Sequence, residues 1–125
     1  MIKYIEKCTA NHSGPAWIGR VQLSKTGRTL YFNGKAFKRS QRAGGAGNYY
    51  DADTGELYWI SGVKRDGRDR HWAGSGHIMI EAEAVDEYLE AVGTDQLDLR
   101  RFRIVEVPPT DATSFHEREN LPVRK

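Results

Sequence analysis

One cysteine, Cys8, stands among 125 residues. A lone cysteine closes no intrachain disulfide, and its scarcity suits a reducing, cytoplasmic setting. Long apolar runs are missing as well. The longest are three or four residues, where a membrane-spanning helix needs about 20. The first residues, Met-Ile-Lys-Tyr-Ile-Glu-Lys, contain no apolar signal-peptide region. Neither a collagen period nor sustained heptads occur, which excludes fibrous and coiled-coil classes. What remains is a chain of the length of one domain, able to bury about two-thirds of its unfolded surface without a metal or disulfide.

Acid is scarce in one half only. Residues 1–50 hold nine Lys or Arg and a single carboxylate, Glu6. Between Glu6 and Asp51 there is no Asp or Glu. Residues 78–125 reverse the balance, with six bases and eleven acids, so the formal net charge is only +2. Such asymmetry marks either a basic face for an anion or two halves that neutralise each other on folding.

The local pattern is one of short strands. Ala16 to Ser24 alternates cleanly, with Trp17, Gly19, Val21 and Leu23 on one side. Lys25-Thr26-Gly27-Arg28 and Asn33-Gly34 read as hairpin turns on either side of Thr29-Leu30-Tyr31-Phe32. Further strands are predicted at Ile2–Ile5, Lys35–Arg39, Leu57–Val63, Ile78–Ile80 and Phe102–Val107, the last stopped by Pro108-Pro109. One helical stripe stands out: Ala82, Val85, Tyr88, Leu89 and Val92, with Gly93 placed to end it. The expected fold is mainly β (β-rich α+β): a small barrel or strongly bent antiparallel sheet of about six or seven short strands, with one late α-helix. Residues 1–109 form the single domain and 110–125 a flexible tail. The core is expected to contain Trp17, Val21, Tyr31, Trp59, Ile78, Ile80, Leu89 and Ile104.

Three blocks carry a resemblance: Ala16 to Val21, Ser24 to Gly34, and Tyr58 to Lys64 together with Arg70-His71-Trp72-Ala73-Gly74-Ser75-Gly76. Over about residues 2–107 the chain resembles a family of small, uncharacterised bacterial proteins, some of which carry the label 1-deoxy-D-xylulose-5-phosphate synthase. That label does not fit the residues. A thiamine-diphosphate enzyme needs large α/β domains to hold its cofactor, so no catalytic residue and no cofactor are implied.

Two segments offer binding chemistry. The first, Val63 to Gly76, sets Lys64, Arg68, Arg70, His71 and Trp72 among three glycines. Arg forks grip phosphate or carboxylate, and a Trp ring can stack on a base. Its alternative reading is a solvated hairpin with Asp66 and Asp69 pairing the arginines. The second, Lys35 to Tyr50, interleaves Lys38, Arg39 and Arg42 with tyrosines and a Gly-rich loop, the combination that single-stranded nucleic acid requires. Its alternative is a plain surface loop. No metal site is expected, since Cys8-x3-His12 and His71-x5-His77 match no common zinc spacing. His71 and His77 with Lys64, Arg68, Arg70 and Ser75 outline a metal-independent nuclease, yet no nucleophile elbow, P-loop or zincin motif is present. The sequence therefore points to a cytoplasmic binding protein rather than an enzyme. Nucleic acid is its expected partner, and a protein-interaction module, an inhibitor or adaptor, is the alternative. No membrane association is expected.

Overall fold

Strands of two to six residues, most of them carrying β-branched or aromatic side chains, build a single sheet. The computed structural model describes residues 1–9, 14–40, 47–65 and 77–110. In chain order the strands are β1 (Ile2–Lys7), β2 (Ala16–Arg20), β3 (Gln22–Leu23), β4 (Thr29–Phe32), β5 (Lys35–Arg39), β6 (Tyr49–Asp51), β7 (Leu57–Ser61), β8 (Ile78–Glu81) and β9 (Phe102–Val105). A 3₁₀ turn, Ala82–Ala84, leads into the one helix of the described residues, α1 (Val85–Val92). Gly93 ends α1 with φ of 76°, its N–H bonded to the Leu89 carbonyl. The mainly-β class with one late helix agrees with the sequence. The strands number nine because the run 16–24 divides at Val21 and because Tyr49–Asp51, which reads as a lead-in to a turn, pairs on both sides.

The sheet order is β3-β4-β5-β6-β7-β1-β2-β8-β9. β2 and β3 are joined by Val21 alone, yet six strand positions separate them in that order. The sheet therefore curls into a half-barrel with Val21 at its seam. The Val21 N–H adds one more bond to the β1–β2 pairing, donating to the Met1 carbonyl at 3.0 Å. Across the seam the Phe32 ring of β4 lies on the backbone of Gly19 in β2. A methyl group at position 19 would stand 2.1 Å from Phe32 Cε1, so only glycine admits this contact.

The antiparallel expectation needs one correction. β8 pairs in parallel with both β2 and β9. Hairpin spacing reports only local pairing, and these two pairings are long-range. β7 and β8 consequently point the same way, so residues 62–77 connect opposite ends of the sheet.

Two apolar layers follow from strand alternation. On the concave face Ile5, Leu30, Phe32, Phe37, Tyr58 and Ile60 pack together, with Trp17, Tyr49 and Val107 against them. On the convex face Tyr4, Ile18, Ile78, Ile80 and Phe102 pack beneath Tyr88, Val85, Leu89 and Val92 of α1. Of the expected core, Val21, Tyr31, Ile78 and Ile80 are buried, while Trp17, Trp59 and Leu89 are half-buried against these layers. Ile104 is a correction: it is 50% exposed. It lies on the outermost strand, two residues beyond the place where Tyr88 covers Phe102. At the end of the described chain the Gly34 N–H donates to Thr110 Oγ1 at 2.7 Å. The rest of the expected tail, 111–125, lies outside the described residues.

Candidate functional site

The hairpin signals determine which cations meet. β4, β5, β6 and β7 are neighbours in antiparallel order. The β3–β4 turn, the end of β5, the start of β6 and the end of β7 therefore share one rim of the half-barrel. Lys25 and Arg28 stand on the turn, Lys38 and Arg39 on β5, and Lys64 and Arg65 just beyond β7. Among the described residues of this rim (24–29, 38–40, 47–50 and 61–65) there is no Asp or Glu. Lys25, Arg28 and Arg65 are exposed. His77 stands just before β8, at the far end of the crossover, and does not join them.

Tyrosines interleave with these cations. The register sets Lys38 opposite Tyr50 and Arg39 opposite Tyr49. The Arg39 guanidinium carbon lies 5.8 Å from the centre of the Tyr49 ring, within range of a cation–π contact. Asn48 fixes this corner. Its side chain spans the end of the β6–β7 ladder, accepting from the Ile60 N–H at 2.8 Å and donating to the Ile60 carbonyl at 2.7 Å. Ser40 N–H donates to the Asn48 carbonyl at 3.0 Å and closes the other side. The two tyrosines are thereby held in register with β5.

The opposite rim has the reverse character. Asp51, Asp53 and Glu56 lie on the β6–β7 turn, facing Lys35 and Lys7. Asp51 is 1% exposed. Its carboxylate accepts from the Asp53 N–H at 2.8 Å and the Lys35 ammonium at 3.2 Å. Burial alone would raise its pKa, but these donors together outweigh it and hold it below the ordinary carboxylate value. Burial pushes the Tyr58 phenol up against the pull of Lys7. Burial, with nearby Glu6 adding to it, pushes the Cys8 thiol up. No three His, Cys, Asp or Glu side chains among the described residues are grouped to hold a metal.

The charge asymmetry of the sequence is neutralised only in part on folding. Lys7, Arg20 and Lys35 from the basic half meet Glu56, Glu87 and Asp51 from the acidic remainder. Lys25, Arg28 and Arg39 form no ion pair with a described residue. A cleft of about 300 Å³ opens by the seam, between Arg20, Gln22, Asn33 and the segment Val107–Thr110. Glu81 and Glu83 line it beside Arg20, a balance that does not select an anion.

Of the site residues read from the sequence, Lys38, Arg39 and Lys64 are brought to the same rim. Arg42, Arg68, Arg70, His71 and Trp72 lie outside the described residues. Lys25 and Arg28 were not singled out by the sequence, because a turn's composition does not reveal which other strand ends lie beside it. No helix among the described residues is long and apolar enough to cross a membrane. No protein-family model, curated protein or solved structure matches the chain.

Proposed function

We propose that this protein is a cytoplasmic, non-catalytic binder of nucleic acid, which it engages through the basic rim formed by the β3–β4 turn and the ends of β5 and β7. The observation that carries the reading is the rim's composition: six Lys or Arg, two tyrosines and no carboxylate in its described segments. A phosphate chain rewards such a strip by releasing its condensed counterions. Phosphate contacts supply affinity, and the interleaved rings supply a surface for bases.

The test is a titration of labelled RNA and DNA oligonucleotides at two salt concentrations. Wild-type protein is expected to bind with an affinity that falls steeply with salt. The variant Arg28→Ala with Arg39→Ala should flatten the slope of log K against log salt by about 0.7–0.9 per lost contact. Absence of salt-sensitive binding would reject nucleic acid. Tight, nearly salt-independent capture of a protein partner would instead favour an interaction module anchored by aromatic residues.

A further inference from the structure

In an antiparallel ladder, directly opposite residues lie on the same face. Thr29, Lys38, Tyr50 and Leu57 therefore form one row on the convex face, across β4 to β7. The adjacent row, Arg39, Tyr49, Tyr58 and Lys7, lies on the concave face. Each cation at the end of β5 thus faces a tyrosine of β6.

The tyrosines differ in what is left of them. Tyr58 is 3% exposed and packs edge-on against Phe37. Tyr49 packs against the concave core and already holds the Arg39 guanidinium. Tyr50 is half-buried, and its side chain makes no hydrogen bond, ring contact or cation contact with a described residue. Its row continues with Leu57, half-buried on the same face.

We propose that the nucleic acid bound at the basic rim is single-stranded, with one base stacked on Tyr50 and the adjoining phosphate held by Lys38. This rests on the nucleic-acid reading of the rim. Cross-strand neighbours stand about 5 Å apart, a spacing that the base and phosphate of one nucleotide can bridge. In a duplex the base faces are covered by one another, and recognition passes to groove edges and backbone; only an unpaired base can present its face to a ring.

The experiment compares a labelled single strand of about 12 nucleotides with the same strand annealed to its complement. Wild type, Tyr50→Leu, Tyr50→Phe and Lys38→Gln are each titrated at two salt concentrations, after thermal melting confirms that each variant is folded. The single strand is expected to bind at least about tenfold more tightly than the duplex. Tyr50→Leu should weaken single-strand binding by about 5- to 150-fold, the range for loss of one stacked base, and leave the salt slope unchanged. Tyr50→Phe should retain wild-type affinity, and Lys38→Gln should flatten the slope. Equal binding of strand and duplex, with Tyr50→Leu neutral, overturns the stacking site and leaves the basic rim standing. No salt-sensitive binding of either form overturns both.

Discussion

At the scale of single residues, the polar side chains that matter most to the fold were the least legible. Nothing in the sequence distinguishes Asn48 from other loop asparagines, yet it serves as a peptide surrogate for Ile60. Asp51 reads as one of several turn acids, yet it is almost fully buried and anchors the β6–β7 turn. Its partners sit two and three residues onward and, for Lys35, across the sheet, so only the folded register gathers them. The resulting depression of the Asp51 pKa has a definite sign in stability. A carboxyl group whose folded pKa lies below its unfolded value, about 3.9, stabilises fully above that value. That contribution is lost as pH falls through the folded value. Acid titration should therefore show stability declining below about pH 4. Asp51→Asn should cost about 2 kcal/mol at neutral pH and remove part of the acid-side decline. Chemical denaturation across that pH range checks this; an unchanged acid-side slope in Asp51→Asn would mean that other carboxylates govern it.

At the scale of elements, the sequence was legible wherever a signal is local. Asn33-Gly34 turns β4 into β5, with positive φ at both residues as a two-residue hairpin requires. The stripe from Val85 to Val92 forms the helix, and Gly93 stops it. The break at Val21 was hidden because side-chain alternation runs through it: Trp17 and Val21 both serve the concave core, although the strand changes partners between them. The parallel placement of β8 was hidden for the same kind of reason, since no local pattern names a distant neighbour. Gly19 tests the seam. Gly19→Ala drives a methyl group into the Phe32 ring, and overpacking of this kind costs about 1–3 kcal/mol. Phe32→Leu removes the ring, so combining it with Gly19→Ala should cost less than the two single losses added together. Urea unfolding of the four proteins measures that coupling. Additive losses would show that β2 and β4 do not meet as described.

At the scale of the whole molecule, charge is sorted along the barrel rather than spread over it. Lys25, Arg28 and Arg39 stand at one rim, while Lys7 and Lys35 are paired to the carboxylates of the other. This sorting separates a site from a mere excess of positive charge. Arg28→Ala and Lys7→Ala each lower the formal net charge, +2 in the wild type, by one. If only net charge attracted nucleic acid, both would weaken binding alike. Register carries the row of Arg39 through Tyr49 and Tyr58 to Lys7, three strands away, which at about 4.8 Å per strand places the two cations about 14 Å apart along the sheet. At physiological ionic strength the screening length is about 8 Å, so the charge of Lys7 is largely hidden from a ligand at the end of β5. Arg28→Ala should therefore weaken oligonucleotide binding at physiological salt while Lys7→Ala leaves it nearly unchanged. At about 0.01 M salt the screening length grows to about 30 Å, and the effects of the two substitutions should converge. Equal losses at physiological salt would show that the ligand does not choose between the rims, and the assignment of the site to the end of β5 would fall with it.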